Sequence, residues 1–176
     1  MASTNQIPER LVGFRVYNEN TDLIGIATVD LPSFDAMTDT VSGAGIAGEV
    51  ESPVLGQVGS MKLTLNWNTI TQDGAKLYSQ KGHTLDIRGS QQLYDASSGT
   101  YVTQSVRLYT KAVPTSISLG SFETGATTGG TTEMEVLYLK LEVGGKTIVE
   151  IDKFNYIYKV GDEDQLSSVR SDLGLA

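Results

Sequence analysis

Apolar and polar residues alternate with a period of two through most of this 176-residue chain. The pattern is clearest from Thr131 to Lys159, TTEMEVLYLKLEVGGKTIVEIDKFNYIYK. Leu137, Leu139, Leu141 and Val143 alternate with Tyr138, Lys140 and Glu142, as in a half-buried strand. Gly144-Gly145 then supplies the positive φ of a tight hairpin turn. The return strand sets Thr147, Val149 and Ile151 on one face and Ile148, Glu150 and Asp152 on the other. A hairpin alone is marginal in water, so other parts of the chain must supply strands to pack with it.

Leu11 to Tyr17 predicts a strand, Asn18 to Asp22 a turn, and Leu23 to Leu31 the answering strand of a hairpin ended by Pro32. Met61, Leu63, Leu65 and Trp67 face a core, with Lys62, Thr64 and Asn66 facing out. Asp73 to Tyr78 suits a short helix that covers one sheet, with Gly82 as its left-handed cap. From His83 to Tyr94, Leu85, Ile87 and Leu93 share a face with Gly89 and Gln91, while Thr84, Asp86, Arg88, Ser90 and Gln92 share the other. After a turn at 95–99, Tyr101 to Lys111 returns, with Val102, Val106 and Leu108 against Thr103, Ser105, Arg107 and Lys111. This hairpin therefore has one apolar face and one unbroken polar face, as expected of a sheet wet on one side. A one-residue slip of register would exchange the two. Pro114 interrupts the strand, Ile117-Leu119 continues as an edge, and Gly120 to Thr132 reads as a loop. Gly161 to Arg170 suits a second short helix, on which Leu166, Val169 and Leu173 share a face.

Ser33 to Ser60 stands apart. It is glycine-rich and lacks clear periodicity, and a connection of this length in a compact domain is usually functional or disordered. Val41, Ile46, Val50, Val54, Leu55 and Val58 make it too apolar for a disordered linker. The segment reads as an arm that orders by docking on something else, with Gly43, Gly45 and Gly48 giving it a pliable backbone. The alternative is a plain long β-hairpin packed on its own subunit.

Composition narrows the function. Lys and Arg number 13 against 21 Asp and Glu, a net charge of −8, which argues against tight binding of nucleic acid. There is no cysteine, hence no disulfide framework and no thiolate metal site. The N-terminal stretch Met1 to Glu9 lacks the basic and apolar regions of a signal peptide, and no apolar run predicts stable membrane insertion. Gly43-Ala44-Gly45-Ile46-Ala47-Gly48 spells G-x-G-x-x-G, but no buried strand precedes it and no helix opens at it, so glycines for a pliable arm explain it better. His83, the only histidine, reads as a surface residue at a strand start. Glu150 and Asp152 share a face, yet carry no other site residue for acid–base work, and read as structural or interface groups. Glu133-Met134-Glu135 and Asp162-Glu163-Asp164 read as solvated charge. No catalytic residue, cofactor or metal ligand is assigned.

One resemblance extends this reading. The run Lys146 to Asp152 with its Val149-Glu150-Ile151-Asp152 centre, then Asn155 to Val160 and the closing Leu173-Gly174-Leu175, resembles the C-terminal part of major tail tube proteins of contractile phage tails and their tailocin relatives. Ser42-Gly43-Ala44-Gly45 is a weaker match. The resemblance implies an all-β fold: an antiparallel two-sheet sandwich or partly closed barrel with one short flanking helix, forming a single domain over 1–176 with an arm inserted at 33–60. It implies stacked hexameric rings with a continuous inner β-barrel, a conduit for DNA or ions through a target envelope. The implied partners are further copies of the chain, a sheath outside, a baseplate or initiator, and a tape measure protein. The setting is a phage tail or tailocin particle assembled in the host cytoplasm. In that frame the row Thr84, Asp86, Arg88, Ser90 and Gln92, with Thr103, Ser105 and Arg107, is the candidate lumen face. Val41, Gly43, Gly45, Ile46, Gly48, Val50 and Val54 are then the inter-subunit and inter-ring arm. The alternatives are a soluble β-sandwich module that binds a ligand or partner, and a secretion-system tube protein.

Overall fold

β-Branched and aromatic runs pair as antiparallel ladders throughout the computed structural model, which describes residues 5–175. Residues 1–4, part of the stretch read for a signal peptide, lie outside the described residues. The strands are β1 (Gln6–Asn18), β2 (Thr21–Asp22), β3 (Ile26–Asp30), β4 (Ala36–Ser42), β5 (Glu49–Val58), β6 (Lys62–Trp67), β7 (His83–Asp95), β8 (Thr100–Ser118), β9 (Thr131–Val143), β10 (Lys146–Asp152), β11 (Ile157–Val160) and β12 (Glu163–Asp164). Two short helices, α1 (Gln72–Ala75) and α2 (Ser167–Asp172), and a 3-10 turn at Lys76–Tyr78 accompany them.

The main sheet runs β12-β11-β10-β9-β8-β7-β1-β2, and it forks at β9. The second half of β9 pairs with β10, from Tyr138 opposite Asp152 to Val143 opposite Lys146, with Gly144 and Gly145 both at positive φ in the turn. The first half pairs instead with β6, from Thr131 opposite Asn66 to Glu135 opposite Lys62. β8 follows the other edge of β9 from end to end, from Ser118 opposite Thr131 to Val106 opposite Val143. The fork makes the partly closed, two-layered form. Met61, Leu63, Leu65 and Trp67 of the β6 branch join Leu85, Ile87, Leu108, Met134, Val136 and Leu139 in one core. Pro114 does not stop β8: it sits at a register shift opposite Met134, where its missing N–H is tolerated.

The first expected hairpin is corrected. β1 meets β2 only at Tyr17–Asp22 and Asn18–Thr21, while β3 crosses over to pair with β6. The cause is local: Glu19 and Asn20 take left-handed φ of 47° and 70°, a two-residue turn tighter than the five expected. Leu23 then drops into the core and Gly25, at φ 97°, turns the chain away. β1 also starts earlier than Leu11, keeping its ladder with β7 from Gln6 opposite Asp95.

The covering helix forms as expected at its start, where the Thr71 hydroxyl accepts from the Gly74 N–H at 3.0 Å. Gly74 lies against the Trp67 ring, so the helix seats on the core through glycine. Gly82 is not its cap, since the 3-10 turn ends at Ser79 in extended backbone. His83 is not a surface residue: it is buried, and its Nε2 donates to the Ser79 carbonyl at 3.0 Å. Nor is Glu133-Met134-Glu135 simply solvated charge. Met134 is core, and Glu135 accepts from Ser60, from the Met61 N–H and from Lys153 Nζ. Burial pushes the Glu135 pKa up, but the bonds from Ser60 and Lys153 outweigh it and hold it below the ordinary value.

Candidate functional site

The polar row read from the sequence falls on one face of the main sheet. Arg88 lies opposite Arg107, Ser90 opposite Ser105, and Gln92 opposite Thr103, while Thr84 faces Lys111 and Asp86 faces Tyr109. The register therefore did not slip. The pairing also adds residues that strand-by-strand reading left out. β1 contributes Arg15, opposite Arg88, and Tyr17, opposite Asp86. β9 contributes Glu142, Lys140 and Tyr138, opposite Arg107, Tyr109 and Lys111. β10 contributes Glu150 and Asp152, and β11 contributes Lys159, opposite Glu150. Of the Val-Glu-Ile-Asp run, Val149 and Ile151 enter the core while Glu150 and Asp152 belong to this polar surface. Alternation in β9 carried the signal, but only the inter-strand register joins it to the β7–β8 hairpin.

Charges on this face are closely balanced and mutually bonded. From β1 to β10 it carries Arg10, Arg15, Arg88, Arg107, Lys111 and Lys140 against Asp86, Glu142, Glu150 and Asp152, with Glu9 bonded to Gln92 at its margin. Asp86 is the centre. Arg88 donates through Nε and Nη2 to Oδ2 at 2.9 and 2.6 Å, and Arg107 donates through Nε to Oδ1 and Nη2 to Oδ2, both at 2.8 Å. Burial raises the Asp86 pKa, but the bonds and charges of Arg107 and Arg88 outweigh it, and the carboxyl stays ionised below the usual aspartate value. Arg88 also lies over the Tyr17 ring, 5.0 Å from its centroid. The Tyr138 hydroxyl donates to Glu150 at 2.9 Å; burial first, and then this carboxylate, push its pKa up. Lys140 bonds Glu142 at 2.8 Å, and Arg15 bonds Asp22. Asp152 Oδ1 accepts from the N–H groups of Phe154 and Asn155, closing the β10–β11 turn.

The second surface is the segment 33–60. It is a two-stranded hairpin, β4 with β5, that among the described residues forms a separate sheet joined to no other strand. This corrects the reading of a segment without strand pattern. Gly43, Gly45 and Gly48 all take positive φ in its tip, so they make a fixed turn in a strand–turn–strand unit, with no helix to receive a nucleotide. Val41 lies opposite Val50, and Asp39 lies opposite Ser52 on the same face; Met37 and Val54 fall at the register shift beyond them. The other face holds Thr38, Thr40, Glu49 and Glu51. Val41, Val50 and Val54 are 44%, 52% and 46% exposed, so the apolar stripe is not packed on its own subunit; Ile46 at the tip is exposed as well. Only the base is held. Gly59 N–H donates to the Asp35 carbonyl, Lys153 Nζ donates to the Gly59 carbonyl, and Gly56 packs tightly on Leu166.

A third feature is a free edge. β1 pairs with β7 on one side, and on the other, among the described residues, it meets only the two residues of β2. Ile7, Leu11 and Val12 along it are more than half exposed. Beside it, Leu11, Phe14, Val29, Leu31, Gly89, Val106 and Leu141 line an open apolar groove of about 410 Å³.

Comparison with known proteins bears on this combination. The family model for phage tail tube protein FII matches residues 8–174. The chain is 28% identical over 154 residues to the major tail tube protein of Serratia phage KSP20, covering 87% of this chain and 88% of that one. It is also 28% identical over 176 residues to the tail tube protein of Escherichia phage P2, covering 96% and 99%. Among solved structures, a chain of the sheath/tube terminator of an extracellular contractile injection system (PVC, extended state) shares the fold. The TM-score is 0.54 at 15% identity, over 77% of this chain and 96% of that one.

Proposed function

We propose that this chain, which belongs to the phage tail tube protein FII family and is a structural tube protein, closes into six-fold rings that stack as the hollow inner tube of a contractile tail. One observation carries the arrangement: a sheet with an open edge strand and a continuous, charge-balanced polar face. An open edge is a liability in a monomer, and closing a ring of identical subunits removes it. The β1 edge of one subunit then pairs with the sheet of the next, and the six sheets form one inner β-barrel. The polar face, with Thr84, Asp86, Arg88, Ser90, Gln92, Thr103, Ser105 and Arg107 at its centre, lines the bore. Its near-balance of charge supports a conduit for DNA or ions, because a strongly basic wall would hold phosphates at every ring. The β4–β5 hairpin presents its exposed apolar residues Val41, Ile46, Val50 and Val54 to the adjacent ring.

The residues 1–176 act as one domain with this arm inserted, and no reaction is assigned to them. A sheath surrounds the tube, a baseplate complex initiates it and a tape measure protein sets its length; the likeness to a sheath/tube terminator supports the first of these. The tube is assembled in the host cytoplasm as part of a tail or tailocin particle. Negative-stain microscopy of the purified protein over a concentration series tests the reading. Rings and tubes of uniform bore are expected above a threshold concentration. A monodisperse monomer throughout is the behaviour of a soluble binding module and defeats the proposal.

A further inference from the structure

Three arginines of the polar face are each engaged by a carboxylate. Arg15 bonds Asp22, and Arg88 and Arg107 share Asp86. Arg88 and Arg107 lie directly opposite one another across β7 and β8, where like charges repel. Their side chains are 55% and 43% exposed, so a solute on this face reaches them, whereas the Asp86 side chain is 12% exposed beneath them. Both turn the Nε–Nη2 edge toward Asp86. That edge is the planar fork that otherwise grips a phosphate with two parallel bonds. Lys140 is occupied similarly by Glu142, and Lys111 lies 5.8 Å from the centroid of the Tyr138 ring.

We infer that Asp86 is a charge mask: it engages the phosphate-binding edges of Arg88 and Arg107, so the face carries arginines without gripping a phosphate backbone that moves along it. Arg107 remains useful as the tie that holds β8 to β7 at this level, and both arginines cover Asp86. The consequence for passage of nucleic acid rests on the proposed lumen position. The masking itself is a property of the single subunit.

The test is a titration of a short fluorescein-labelled DNA duplex with free subunits, read by anisotropy, and with assembled tubes, read by co-sedimentation. Wild-type protein is expected to bind weakly in both. Asp86→Asn removes the acceptor charge with little change of shape and frees two forks. Two added phosphate contacts steepen the log–log salt dependence by about 1.8, so the variant should lose about tenfold more affinity than wild type between about 50 and 200 mM salt. The triple variant D86N/R88Q/R107Q should return to wild-type binding. E123Q, which removes one charge in the exposed loop before β9, should not gain affinity. The inference is overturned if D86N binds as wild type does, or if E123Q gains as much as D86N. R88Q/R107Q answers the question if D86N does not fold: no change in affinity is expected, and a loss shows that the arginines already reach phosphate. Absence of tubes counts against the ring proposal alone, since the free-subunit titration still reads the mask.

Discussion

Replacing Val41, Val50 and Val54 together by threonine tests the arm with almost no change of shape. Threonine is β-branched and keeps the strand preference of valine, so the hairpin itself is undisturbed. The three side chains are about half exposed in the subunit, with water available to each new hydroxyl, and surface substitutions of this kind stay within about ±0.5 kcal/mol. If the stripe docks on the next ring, each hydroxyl enters an apolar contact without a partner, at a cost of about 1–3 kcal/mol. Three such groups cost at least about 3 kcal/mol per subunit. At about 1.4 kcal/mol per factor of ten, the critical concentration for tube growth rises more than about a hundredfold. The assay is sedimentation of tubes over a protein titration, with thermal melting of the free subunit by circular dichroism alongside. Unchanged critical concentration and unchanged melting would show that the stripe is not an assembly contact. A drop in melting temperature that accounts for the assembly defect would show that the stripe packs on its own subunit.

Further outcomes follow from single positions. Deleting Val41 to Val54 should leave a folded domain by circular dichroism and abolish tubes, and hydrogen exchange in the arm should be fast in the subunit and slow in the tube. Leu65→Ala, fully buried beneath the fork, should lower the unfolding free energy by about 2–5 kcal/mol in urea titration. Gly56→Ala forces a Cβ to within 2.5 Å of Leu166 at φ 62°, so it should cost at least the roughly 1–2 kcal/mol of a left-handed alanine and loosen α2. At Gly45, also left-handed but with open space around it, alanine should cost only the backbone term. The carboxyls of Asp86, Glu135 and Asp164 are held below their ordinary pKa values, Asp164 chiefly by its bond from Arg170. Depressed values mean stability that is present above the unfolded pKa and lost as pH falls through the folded one. Melting temperature should therefore be level near neutrality and fall below about pH 4, and D86N should flatten part of that fall.

The sequence made strands legible where one face is buried and the other wet. Leu85 and Ile87 against Asp86 and Arg88 left one consistent choice of register for β7, and the structure has it. Legibility failed where burial does not select a face. β4 is exposed at every position, so no alternation had to arise, and a regular hairpin looked like an irregular loop. The first residues of β1 were missed for the same reason: Gln6 to Leu11 are all exposed. His83 was misread because a solitary histidine gives no hint of the Ser79 carbonyl that satisfies it. The joining of Arg15, Tyr138, Lys140 and Glu142 to the polar row depends on which strand lies beside which, and periodicity within a strand does not encode that.

The fork at β9 has a consequence for how such a chain can diverge. The arm grows from the β3–β6 branch, and the polar face spreads over the strands from β1 to β10; the two meet along β9, whose halves have different neighbours. The arm ends at Gly59 and Ser60, where Lys153 and Glu135 clamp its base. Length changes beyond that clamp leave the register of β7, β8 and β9 untouched. Descendants of such a fold can remodel the projecting segment while inheriting an unaltered polar face.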